Sequence, residues 1–225
     1  GMATLSEIKS ALEVIAFGLL QLAGKMLDST PNSKAFKQAF NSELGKKLLQ
    51  EQVTLLHCST EYPTPVQHVN LFAMDTLKDH FSLAVGYSDH SQGITIPIAA
   101  VARGAQVIEK HFTLDRNLPG PDHQASLEPD ELSDMVKAIR DVENAFGDGI
   151  KQPTAIEQQN SIAARKSLVA AKHIKQGDLL TKDNVVIKRP GDGMSPGHYW
   201  TLLGRSAKRT YQIGALLNEC LDDFS

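Results

Sequence analysis

Two histidines, His90 and His111, each stand at the end of an apolar, β-prone run and open onto a polar loop. In parallel α/β sheets and barrels, ligands bind outside the carboxyl ends of the strands. Imidazoles delivered from adjacent strands could therefore converge on one divalent ion. Two histidines with no thiolate or carboxylate partner are too few for a structural zinc, which takes four protein ligands. They suit an open shell around Mn²⁺ or Mg²⁺ that water and substrate oxygens complete. A strand cap and a hydrogen-bonded core histidine would give the same two positions.

Other groups lie on the same loops. Asp122 and His123 follow Gly120-Pro121 and are candidates for general acid/base work, although Pro-Asp pairs also make plain turns. Glu109 and Lys110 alternate along one run, so only one of them can face the site. Tyr62, ahead of Pro63, could wall a sugar pocket or merely anchor its loop. Cys58 beside His57 could be a thiol nucleophile, but nothing nearby marks an activated thiolate, and a small buried strand residue is the plainer reading. Near the C-terminus, Arg189 in Lys188-Arg189-Pro190-Gly191 puts a long cation before a rigid turn. It is either a solvated surface group or a guanidinium presented to a planar or anionic ligand group across an interface.

The elements that must carry these residues follow from hydrophobic pattern. Runs 53–58, 83–87 and 106–111 read as buried parallel strands, each followed by a loop and a helical pattern. The first helix uses Val66, Val69, Phe72, Ala73, Leu77 and Phe81. The second, 94–102, is apolar almost all round and stops at Gly104. The third opens at Pro129, with Asp130 and Glu131 in its first turn and a buried stripe through Leu132, Met135, Val136, Ile139, Val142 and Phe146. The strand starts recur about every 25–30 residues, roughly one βα unit. Closing a barrel takes about eight strands, so the expected fold is α/β, a partial TIM-type barrel. The N-terminal stretch predicts helices only, from 4 to about 27 and roughly 33 to 50. Residues 148–162, with Gly149 and Pro153, read as a linker. Beyond it, β-prone pieces at 167–170 and 185–188 alternate with turns and two short helical pieces, 182–184 and 198–203. The expected division is 1–147, a linker, and a small, mostly β module over 163–225.

Bulk properties narrow the setting. Over 225 residues, 41% are apolar and 22% charged, enough to bury a core, and the net charge of −3 gives no electrostatic footprint for nucleic acid or an anionic membrane. The two cysteines, Cys58 and Cys220, are too few for a disulfide framework and suit a reducing cytosol. No apolar run approaches the roughly 20 residues of a membrane span. A cytoplasmic protein is expected.

The strings at the loops closely resemble the sialic acid (N-acetylneuraminate) synthase family, which condenses phosphoenolpyruvate with N-acetylmannosamine or related sugars. They are Gly1-Met2-Ala3-Thr4-Leu5, Tyr62-Pro63-Thr64-Pro65, Gly86-Tyr87-Ser88-Asp89-His90-Ser91, Glu109-Lys110-His111-Phe112-Thr113-Leu114-Asp115 and Pro119-Gly120-Pro121-Asp122-His123. Lys188-Arg189-Pro190-Gly191 also matches, in what resembles the family's antifreeze-like (SAF) domain. Only about 20–50 finds no counterpart and reads as a helical insertion. The resemblance implies that His90 and His111 hold the divalent ion, commonly Mn²⁺. It implies that Asp122 contacts the sugar and assists proton transfer, and that Thr60, Tyr62 and Ser88 line the substrate pocket. Arg189 would reach the other subunit of a domain-swapped homodimer, near the sugar's acyl group. The implied acceptor is N-acetylmannosamine or a precursor of legionaminic or pseudaminic acid. Family barrels have eight strands and much of their phosphoenolpyruvate site in the half not legible here, so this chain alone is expected to be inactive and to associate through its open sheet edge. A non-catalytic remnant that binds a sugar or partner is the competing expectation. A metal-dependent aldolase or isomerase is a third, and the C-terminal module argues against it.

Overall fold

The computed structural model describes residues 1–25 and 30–218. The chain forms two compact units, 1–148 and 149–225.

Helix α1 (Leu5–Leu22) begins at Thr4, whose hydroxyl accepts from the Glu7 amide while the Glu7 carboxylate accepts from Thr4 N–H. This reciprocal capping satisfies donors that the first helical turn leaves open. The helix buries Leu12, Ala16, Phe17 and Leu20 against Ala35, Ala39, Leu49 and Leu83. Sequence pattern predicts one helix over 33–50, but there are two, α2 (Ser33–Asn41) and α3 (Glu43–Gln52). The break is Ser42, which is extended and turns its hydroxyl to the Gly45 amide, so it ends one helix and caps the next. The far end of the first predicted helix, at Leu27, lies outside the described residues.

Strands β1 (Thr54–Cys58), β2 (Ala84–Asp89) and β3 (Ile108–Lys110) form a parallel sheet in that order. Helices α4 (Phe72–Phe81) and α5 (Thr95–Ala102) connect them. Because strand side chains alternate, the sheet has two unlike faces. Val85 and Tyr87 pack with Met74, Leu77 and Ala100 on the helix-covered face. Leu56, Cys58, Gly86, Ser88 and Glu109 belong to the other face, on which, among the described residues, no helix of the first unit's core clusters packs. Helix α6 (Pro129–Ala145) buries Met135 and Ile139 with Val101 and Leu127. Leu127 also bridges Phe112 in parallel, extending the sheet beyond β3 by a single residue pair.

The second unit starts inside the stretch expected to be a linker. Residues 155–164 form helix α7 (Ala155–Ala164), capped by Thr154 and Glu157 in the same reciprocal way as α1. Strands β4 (Ser167–Ala170) and β5 (Val185–Lys188) pair antiparallel, and isolated bridges tie Ile174 to Tyr211 and Leu179 to Ser206. The expected helical piece at 182–184 is a turn, in which Asn184 accepts from the Thr181 amide. The other is α8 (Tyr199–Leu202). A core of Leu168, Ile174, Leu180, Leu202, Tyr211 and Leu217 belongs wholly to this unit.

Gly86 shows how tightly the first sheet is drawn. A β-carbon there would come within 2.5 Å of Leu56 Cδ2 and of the Val107 carbonyl oxygen, one on each neighbouring run. The backbone contact cannot give way by a rotamer change. Gly86→Ala is expected to lower stability by about 1–3 kcal/mol, measured as a shift of the urea midpoint against the parent chain.

Candidate active site at the carboxyl end of the sheet

His90 follows β2 directly and His111 follows β3 directly, one step past the last paired residues, Asp89 and Lys110. Their rings meet edge to face with centroids 5.2 Å apart. Tyr62, from the loop after β1, lies against both, at 4.2 Å from the His90 ring and 5.8 Å from that of His111. Its own ring is half exposed, so it forms a rim over the pair. Cys58, at the end of β1, places its sulfur 3.7 Å from His90 Nδ1. Four residues from three consecutive strand ends are thus gathered at one mouth.

Hydrogen bonds hold this mouth on both faces of the sheet. On the open face the buried Ser88 hydroxyl donates to Glu109 Oε1 at 2.6 Å. On the helix-covered face Lys110 Nζ donates to Asp89 Oδ2 at 2.6 Å, with both side chains almost wholly buried. Sequence leaves open which of Glu109 and Lys110 faces the site. Their pairing partners answer it, since Glu109 shares the face of Ser88 and Lys110 faces the helices. The same ammonium donates to the Ser91 carbonyl, and Asp89 Oδ1 accepts the Ser91 amide. The His90 carbonyl accepts from the Thr64 amide. Residues 89–91 are therefore tied from three directions.

Electrostatics favour a neutral His90. Burial, then the neighbouring His111, pushes its pKa below the ordinary imidazole value. A neutral ring keeps a nitrogen lone pair, the form in which histidine binds a metal ion. Among the described residues no group of three or more His, Cys, Asp or Glu side chains is arranged to hold an ion. Two imidazoles facing a solvent-open mouth fit an ion that takes its remaining ligands from water and substrate. A closed structural site is excluded for this donor set by ligand number. Burial, then the Asp89 carboxylate, raises the Tyr87 phenol above its ordinary range, so Tyr87 stays neutral beneath the pair.

The remaining residues singled out by sequence are placed less closely. Thr60 is exposed near the start of the loop after β1, and a β-carbon on Gly1 would come within 2.5 Å of its Cγ2, so the segment ahead of α1 runs beside the end of β1. Asp122 is exposed in the loop between β3 and α6. No contact of its carboxylate with the imidazoles is among those of the described residues, while its carbonyl accepts from the Ser126 hydroxyl. His123 is engaged through Nδ1 by the buried Thr113 hydroxyl at 2.8 Å. Arg189, exposed in the second unit, donates from Nε to the Ala164 carbonyl. Single-residue reasoning passes over Asp89 and leaves the roles of Glu109 and Lys110 undecided. The signal that finds them is cross-strand register, which places each beside a partner of suitable chemistry.

Residues 1–151 match the NeuB family, and residues 165–218 match the SAF domain. The chain belongs to the NeuB family. It is 48% identical over 203 residues to N,N'-diacetyllegionaminic acid synthase of Campylobacter jejuni, covering 89% of this chain and 61% of that one. It is 40% identical to pseudaminic acid synthase of the same species, over 79% of this chain and 51% of the relative. It is also 37% identical to N-acetylneuraminate-9-phosphate synthase of Homo sapiens, over 79% of this chain and 50% of the relative. The chain thus spans about half to three fifths of these relatives' lengths. Among solved structures, a spore coat polysaccharide biosynthesis protein E of Chromobacterium violaceum aligns with a TM-score of 0.54 at 25% identity, over 91% of this chain and 64% of the other. The three relatives are named as synthases of a legionaminic acid, of pseudaminic acid and of N-acetylneuraminate 9-phosphate, and an α/β chain carrying NeuB and SAF regions is what this structure contains. Among the described residues no helix is long and apolar enough to cross a membrane.

The loop bearing Asp122 is anchored at its base. Arg116 donates from its backbone to Glu128, from Nε to the Ser126 carbonyl, and from its guanidinium to Glu131. The Arg116 guanidinium, then the backbone N–H of the N-cap Glu128, holds the Glu131 carboxyl below its ordinary value of 4.5. A depressed carboxyl pKa contributes stability that is present above the unfolded value and lost as pH falls through the folded one. Glu131→Gln is therefore expected to be less stable than the parent at pH 7. The difference should narrow below pH 4.5 and vanish under the depressed pKa, as read from urea midpoints across pH.

Proposed function

We propose that this chain is the metal-holding, C-terminal portion of a synthase that condenses phosphoenolpyruvate with an amino sugar, its three parallel strands belonging to an incomplete β/α barrel. The observation that carries this reading is the meeting of the His90 and His111 rings, 5.2 Å apart, past the carboxyl ends of adjacent parallel strands. The relatives' names support a nine-carbon acidic sugar as product. The acceptor is then N-acetylmannosamine or a related amino sugar. The boundaries that go with this reading are 1–147 for the barrel portion, 148–162 for the connection and 163–225 for the SAF domain.

A bound Mn²⁺ or Mg²⁺ supplies Lewis-acid polarisation of the open-chain sugar's aldehyde. His90 and His111 would hold it through ring nitrogens, and the burial of His90 favours the neutral form of that ring. Tyr62 roofs the pair and sheds water from one side, while Ser88, fixed by Glu109, and Thr60 line the pocket. Asp122 moves a proton at the sugar. The new bond joins the methylene carbon of phosphoenolpyruvate to the aldehyde carbon, whose oxygen takes up a proton; water adds at the phosphate-bearing carbon, and phosphate leaves to give the 2-keto acid. Holding both reactants in one site removes much of the entropic barrier. Arg189 meets the sugar's acyl group in the other subunit of a domain-swapped homodimer. A cytoplasmic setting suits the free thiol of Cys58.

Calorimetric titration of the metal-free chain with Mn²⁺ is expected to give one site, with His90→Ala and His111→Ala each weakening it at least tenfold. Unchanged affinity in both variants would refute the metal reading. With phosphoenolpyruvate, N-acetylmannosamine and Mn²⁺, phosphate release by the chain alone is expected to stay at background, because three strands leave most of a barrel wall unbuilt. Clear turnover would overturn that part of the proposal.

A further inference from the structure

We infer that Asp89 and Lys110 are positioning residues: their buried ion pair sets the separation and aim of the His90 and His111 imidazoles. The inference rests on the metal-site reading above and goes beyond it by assigning a task to two residues that face away from the site. Asp89 and Lys110 are partners in the last rung of the β2–β3 ladder, and the two histidines are the next residues on each strand. Beyond that rung no strand pairing holds the two chains together, and parallel strands released from pairing are free to splay. Lys110 prevents this at β2 by straddling His90. Its ammonium lies 2.6 Å from the carboxylate of Asp89 before it and 2.6 Å from the carbonyl of Ser91 after it. Asp89 closes the same turn by accepting the Ser91 amide at 2.9 Å. All three side chains are buried, with Asp89 and Ser91 at or near zero exposure.

Energetics separate this role from a purely structural one. Removing two charges from water costs about as much as their attraction returns, so replacing both partners of such a pair is often neutral or stabilising, whereas removing one is damaging. A pair kept only for stability would thus be dispensable as a pair. A pair kept for aim would not, because groups that orient metal ligands commonly govern affinity tenfold to a hundredfold.

The test is the Asp89→Asn/Lys110→Met double variant of the full chain. The introduced amide still accepts from Ser91, and no lone charge is left buried. Circular dichroism is expected to show a folded protein with a melting point near that of the parent, while Mn²⁺ titration shows affinity at least tenfold weaker. A folded double variant within twofold of the parent overturns the inference. Should the double variant not fold, Lys110→Arg takes its place. It keeps the charge but cannot put a single ammonium between Asp89 and Ser91, and an affinity equal to the parent's overturns the inference equally. A parent chain that binds no Mn²⁺ refutes the metal reading instead. The positioning claim is then decided by the nuclear Overhauser contact between the two imidazole rings, expected in the parent and lost in the variant.

Discussion

Parallel register between β2 and β3 is the constraint on which the rest of the first unit hangs. Side chains on a strand alternate between faces, so a slip of one residue exchanges everything that faces the helices with everything that does not. Here a slip would turn Tyr87 and Asp89 out of the helix-covered core and bring Ser88 and His90 into it. Apolar burial disfavours that exchange on one face. Two polar contacts, Ser88 with Glu109 and Asp89 with Lys110, disfavour it on both. Because these contacts occupy consecutive rungs, the alignment is most closely specified just where the imidazoles emerge.

The two contacts differ in kind. Ser88 with Glu109 lies on the open face, where the carboxylate is exposed and water can compete. Asp89 with Lys110 is shielded from water, so its geometry is held firmly even though its net contribution to stability is small. Strength of folding and sharpness of geometry therefore come from different parts of the sheet. The first comes from the packing of Val85, Tyr87, Met74 and Leu77, and the second from one buried ammonium.

The strand–helix succession and the position of both histidines are legible from apolar runs and their spacing, because burial imposes a periodicity that composition cannot hide. The split of the predicted 33–50 helix is harder to read. Ser42 acts through one hydroxyl–amide bond, a local competition that hydrophobic pattern does not record. Helix α7 is hidden for a related reason. It buries no residue fully, so it lacks an apolar stripe, and only the Thr154 and Glu157 spacing marks its start. In the site, Tyr62, His90 and His111 come together as residue types suggest. Which of Glu109 and Lys110 faces them requires partner identities across the ladder, which a single chain of letters does not carry. The bridge of Leu127 to Phe112 is too short to leave a period at all.

That bridge has a consequence for how the protein can change over time. Leu127 donates to the His111 carbonyl and accepts from the Thr113 amide, so the chain leaving β3 is fastened to the chain entering α6, and Arg116 adds a second fastening just above. The segment between is a loop of the Ω kind, closed at its neck and pinned from within by Thr113 on His123 and by Ser126 on the Asp122 carbonyl. Insertions or new side chains are best borne at the exposed 117–121, short of the pinned Asp122 and His123. The molecule thus carries the exposed Asp122 on a connection whose neck is fixed beside His111, one of two imidazoles held 5.2 Å apart.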